Sequence, residues 1–134
     1  WMLQLVPGGR LLIEENQVIE TRHPVFANYL DVLSKMLAGR SNNLYLGSAL
    51  SELAETSELN CVFDEVTPVR VSDYDTASMF RMNIEAWQYN PFILDNYSQS
   101  ELFALMAALD EIVDFEHQFS SITFNVRQLA FERR

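Results

Sequence analysis

The chain has 134 residues with a formal net charge of −10, 49% hydrophobic and 12% aromatic residues, and only 4 Gly and 4 Pro. This is the composition of a folded domain rather than a tail or linker, and its length is enough to bury roughly two-thirds of the unfolded surface. Nine scattered Lys and Arg residues exclude a passive nucleic-acid surface, and the single cysteine, Cys61, excludes an internal disulfide and a multi-thiolate metal centre.

His23 and His117 are the only histidines, so a zinc site would have to be mostly carboxylate and no metal is expected. No apolar run approaches the roughly 20 residues of a membrane span, and no basic-then-apolar leader opens the sequence. A cytoplasmic protein with neither a membrane nor a nucleic-acid partner is the expectation.

Taken in order, Trp1 to Val6 reads as the end of an apolar helix, or as a strand that pairs back across the turn as a hairpin. The missing N-cap residue favours further chain upstream. Pro7-Gly8-Gly9 is a tight reversal, since Pro fixes φ and glycine supplies positive φ. Leu11-Leu12-Ile13 is apolar without alternation, which predicts a strand buried on both faces, running out into Glu14 and Glu15. Glu14 to His23 reads as a loop or short strand extension.

Pro24 suits a first helical position, and Phe26, Tyr29, Leu30, Leu33, Met36 and Leu37 share a face up to Gly39, taken as the C′ residue. A second helix is expected from Leu46 to Leu59. Asn60 to Ser72 has strand formers, with Pro68 placing that strand at a sheet edge or in a bulge. Asp75 is expected to cap a helix from Thr76 to Tyr89, stopped by Asn90-Pro91. Ser98 and Glu101 form a capping box before the most regular apolar stripe, Leu102, Leu105, Met106, Leu109, Ile112 and Val113. Ile122 to Phe131 reads as a strand with a change of facing near Gln128.

The run Leu5-Val6-Pro7-Gly8-Gly9-Arg10-Leu11-Leu12-Ile13-Glu14-Glu15 resembles the segment leading into the fifth strand of class I S-adenosylmethionine-dependent methyltransferases. The elements after it are similar to the C-terminal half of such enzymes. The resemblance implies an α/β fold, the C-terminal part of a Rossmann-like methyltransferase sheet, with about three strands and four helices and incomplete without upstream strands. It further implies that the second strand lies at the sheet edge and that the last strand is inserted antiparallel between the other two. The family's glycine-rich cofactor loop and ribose-binding acidic residue have no counterpart here. S-adenosylmethionine is therefore expected in the intact protein, with no cofactor-binding residue and no cofactor binding in this chain alone.

Because ligands gather beyond the carboxyl ends of parallel strands, Glu14, Glu15 and Asn16 are substrate-side candidates, with solvated carboxylates as the plain alternative. His23 is a candidate base in a loop that equally suits an exposed histidine. Met79, Arg81 and Trp87, with their neighbours, offer a wall over a small substrate, though such a stripe also suits a core. Asp110, Glu111, Asp114 and Glu116 read as a solvated helix face.

Two functions follow: a fragment of a methyltransferase acting on a small molecule, or a small acidic module that binds or inhibits a basic protein. An apolar first strand with a free edge predicts self-association as a dimer, or pairing with an N-terminal half.

Overall fold

The structure, a computed structural model, describes residues 5–46, 49–50, 52, 59–115 and 119–134. Its elements are β1 (Arg10–Thr21), α1 (Pro24–Ala38), β2 (Leu59–Val71), α2 (Asp73–Trp87), α3 (Pro91–Asn96), α4 (Gln99–Asp114) and β3 (Ile122–Arg133). The fold is α/β, with one sheet of three strands in the order β1-β3-β2. Side chains across the ladders fix the directions: Arg10 meets Glu132 and Glu14 meets Gln128, while Asp64 meets Arg127 and Asn60 meets Arg134. In each pair of strands, one number rises as the other falls. β3 is therefore antiparallel to both neighbours, and β1 and β2 run parallel to each other. The expected insertion of the last strand between the other two is the observed order.

The chain divides into two compact units, one of residues 1–19, 45–69 and 124–134, the other of residues 20–44 and 70–123. In the first, the Pro7-Gly8-Gly9 turn locks β1 to the end of β3, with Gly8 N–H donating to Arg133 O and Arg133 N–H to Gly9 O. Gly8 has φ +77°, which glycine adopts without penalty, and a Cβ on Gly9 would stand 2.8 Å from Val6 O. Among the described residues the core here is Leu50, Leu59, Leu129 and Phe131, with Leu5, Leu11 and Ile13 packed against it.

Three sequence expectations for β1 need correction. Leu5 and Val6 are not helical, and residues 1–4 lie outside the described ones. The strand is not buried on both faces, since Leu12 is 75% exposed while Leu11 and Ile13 face the core. An apolar run is read as doubly covered only if the sheet has layers on both sides, and this edge strand alternates instead. It also continues to Thr21, because its polar residues occupy open positions of an edge strand and so do not end it.

The second unit is built on aromatic packing. Pro24 begins α1 as expected, and Phe26 and Tyr29 are fully buried. Tyr29 stacks on Phe80 with centroids 3.7 Å apart, and Phe26 meets the same ring edge-on at 5.7 Å. α4 adds Leu102, Leu105, Met106 and Leu109, and its Ser98–Glu101 capping box is formed in both directions.

Gly39 does close α1, but for want of space rather than for positive φ. Its φ is −61°, and a Cβ there would lie 2.6 Å from the Phe92 ring. The cap of α2 is Ser72, not Asp75: its hydroxyl accepts from Asp75 N–H at 3.0 Å. Asn90-Pro91 ends α2, but Asn90 then caps the short helix α3 with Pro91 at its start, a reuse of the Pro-at-first-turn rule. Of the helix expected from Leu46 to Leu59, Ala49, Leu50 and Glu52 are helical, Leu59 already belongs to β2, and most of the rest lies outside the described residues.

Candidate functional site

With β1 and β2 parallel, their carboxyl ends are Thr21 and Val71. Ligands in open α/β sheets collect beyond such ends. In the second unit an open recess of about 690 Å³ lies there, lined by Glu20, Thr21, Arg22, Arg70, Ser120, Ser121 and Thr123.

The frame of this recess is held by hydrogen bonds. Thr21 Oγ1 donates to Ser121 O at 3.1 Å and accepts from His23 N–H at 3.0 Å. Asp73, 5% exposed at the start of α2, accepts from Ser121 N–H at 2.7 Å and from Ser121 Oγ at 2.8 Å. Asp73 N–H in turn donates to Phe119 O at 2.8 Å. A buried carboxylate with these donors fixes the entry into β3 against the first turn of α2. Thr21 and Ser121 thus spend their hydroxyls on the scaffold. Arg22 and Arg70 remain exposed at the rim.

The residues singled out from sequence are not gathered in this recess. Glu14, Glu15 and Asn16 sit in the middle of β1 in the first unit, and Glu14 accepts from Gln128 Nε2 at 2.7 Å. The strand runs past them, so its carboxyl end is Glu20-Thr21, followed by Arg22. His23, in the second unit, is the N-cap residue of α1 but makes no side-chain capping bond. Its ring packs on Phe26 with centroids 4.6 Å apart, and its buried Nδ1 has no hydrogen-bond partner among the described residues.

On α2, Trp87 turns toward Tyr29, with centroids 6.2 Å apart. Burial pushes the Tyr29 hydroxyl above its ordinary range, against the opposing effects of Asn83 and Trp87 beside it. Asn83 Nδ2 donates to it at 3.1 Å. Arg81 is tied to Glu85 at 2.7 Å and Asp110 at 3.1 Å. Burial pulls the guanidinium down, but these two carboxylates hold it above its usual range. Met79 is exposed. The stripe on α2 therefore divides into core residues, an ion-pair node and exposed methionines.

Arg22, Arg70, Asp73, Ser121 and Thr123 escaped the sequence reading. Their only signal was position at strand ends, and that signal depended on knowing that β1 extends to Thr21. Among the described residues, no cluster of three or more His, Cys, Asp or Glu side chains is placed to hold a metal ion. None of the described helices is long and apolar enough to cross a membrane.

No known family profile matches the chain, and no curated protein sequence matches it. Among solved structures that match is the phospholethanolamine N-methyltransferase 2 of Haemonchus contortus, in complex with phosphomonomethylethanolamine and S-adenosylhomocysteine. It is 18% identical with a TM-score of 0.35, and the match covers 95% of this chain but only 27% of that one. Function is therefore read from the sheet and its recess, not from this likeness.

Proposed function

We propose that this chain is the C-terminal part of a class I S-adenosylmethionine-dependent methyltransferase acting on a small molecule. In this reading it supplies the last strands of the sheet and the substrate-side cover, and the cofactor loop belongs to a segment ahead of it. The observation that carries the reading is the strand order β1-β3-β2, in which the last strand is antiparallel and inserted between two parallel ones. That insertion is what the methyltransferase resemblance of the Pro7-Gly8-Gly9 turn and the elements after it implies.

Fold alone does not carry function, so the chemistry must come from the strand ends. Methyl transfer from a sulfonium needs chiefly in-line positioning and exclusion of water, which a rigid recess with a few polar anchors can supply. The hydrogen-bonded frame of Thr21, Ser121 and Asp73 gives that rigidity.

Calorimetric titration of S-adenosylmethionine into the longest natural product of the gene is expected to show saturable binding, and into the 134-residue chain none. Absence of binding in the longer product contradicts the reading. β1 and β2 are the outer strands of the described sheet, so the same reading has the edge of β1 paired in the intact protein. Alone, the chain dimerises, exchanges elements or takes up a separate N-terminal piece. A monomeric mass by light scattering at micromolar concentration, together with a cooperative melt, counts against that.

A further inference from the structure

The nine basic residues of this acidic chain are not used alike. Arg10 pairs with Glu132, Lys35 with Asp31, Arg81 with Glu85 and Asp110, and Arg127 with Asp64. Arg133 donates to Leu5 O and Arg134 to Asn60 Oδ1. That leaves Arg22, Arg40 and Arg70, whose side chains have no hydrogen-bond or ion-pair partner among the described residues. Two of these three line the same recess, although acidic residues outnumber basic ones 19 to 9.

With carboxylates so abundant, two arginines that line one polar recess, with no side-chain partner among the described residues, are placed for a ligand. Arg22 directly follows the last residue of β1, and Arg70 is the next-to-last residue of β2. The start of β3 runs between these two strands and brings the hydroxyl-bearing Ser120 and Thr123 into the same wall. The recess holds one carboxylate, Glu20, against its two guanidinium groups. The nearby Asp73 carboxylate is buried and occupied by Ser121.

We propose that Arg22 and Arg70 form an oxyanion-binding site that takes the phosphate or carboxylate group of a small molecule. The planar fork of arginine presents paired N–H donors to two oxygens of such a group, a match that neither a neutral ligand nor a monatomic anion provides. Ser121 is bonded both to Thr21, beside Arg22, and to Asp73, three residues after Arg70, so the two arginines start from anchored backbones. The site requires no cofactor and stands apart from the methyltransferase reading, within which it would hold the charged end of the acceptor.

The test is a titration of the isotopically labelled 134-residue chain with inorganic phosphate, acetate and chloride at matched ionic strength, followed by amide chemical shifts. Saturable shifts centred on Arg22, Arg70, Ser120 and Thr123 are expected with phosphate or acetate and not with chloride, and the oxyanion that saturates first identifies the class. Arg22→Gln and Arg70→Gln are each expected to weaken binding about tenfold or more, as loss of one charge-assisted contact does. Arg40→Gln, outside the recess, leaves the affinity unchanged. Non-saturating shifts equal to those in chloride, or wild-type affinity in both recess variants, overturn the proposal. Because S-adenosylmethionine is absent, failure here leaves the methyltransferase reading untouched, and calorimetric failure there leaves this site untouched.

Discussion

In the unit of residues 20–44 and 70–123, helices α1, α2 and α4 bury Phe26, Tyr29, Phe80, Ile84 and Leu109 to 2% exposure or less. In the unit of residues 1–19, 45–69 and 124–134, every residue of β2 from Asn60 to Val69 is exposed, including Val62, Phe63, Val66 and Val69. The apolar residues of these helices and of β2 have opposite fates. Apolar residues on an edge strand find cover only if another element is laid over them, whereas a helix brings its own stripe to a neighbour. A row of exposed apolar side chains along a strand is a surface for association.

Substitutions that separate the units sharpen this contrast. Phe80→Ala removes the ring between Tyr29 and Phe26 and is expected to cost about 3–5 kcal/mol in denaturant unfolding. Phe63→Ala, on the exposed strand, is expected to cost under about 1 kcal/mol and to lower self-association in light scattering. Equal losses at the two positions would erase the distinction. Asp73→Ala strips the partners from Ser121 N–H and Oγ, and a loss of about 1–3 kcal/mol in the same assay is expected. Ser72→Ala removes the cap of α2, for about 1 kcal/mol.

The smallest effect is in the first unit. The hydrogen bond from Arg127 lowers the Asp64 carboxyl below its usual 3.8, although Asp64 is exposed. A carboxyl lowered in the folded state contributes stability above its unfolded pKa and loses it as pH falls through the folded one. Wild type is therefore expected to exceed Asp64→Asn by at most about 1 kcal/mol near pH 7. That advantage shrinks toward zero as pH falls below 3.8, measured by unfolding at a series of pH values. An advantage that grows as pH falls contradicts the pairing.

Local signals marked the parts of the fold where chemistry and geometry coincide in a few residues. Pro24 opens α1, the Ser98–Glu101 box opens α4, and Pro68 belongs to an edge strand. The insertion of β3 was implied by the family resemblance rather than by the residues themselves. The failures had one physical source, which was coverage. Leu11-Leu12-Ile13 looks the same whether one face of its strand is covered or two. The polar run after Ile13 looks like a loop, yet an exposed strand accepts it up to Thr21. That misplaced end hid Arg22 and drew attention to Glu14, Glu15 and Asn16 instead. The α2 stripe was ambiguous in the same way, and the Tyr29–Phe80 stack resolves Phe80 as core.

Hydrogen exchange on the 134-residue chain tests most directly whether one unit is closed while the other carries an edge to be paired. Amides of α1 and α4 are expected to exchange slowest at every concentration. Outward-facing amides between Asn60 and Val69 are expected to exchange near their intrinsic rates in dilute solution and to slow as the protein is concentrated roughly 100-fold. If those β2 amides are as protected as α1 in the most dilute sample, with no dependence on concentration, the edge is already satisfied and the account is contradicted.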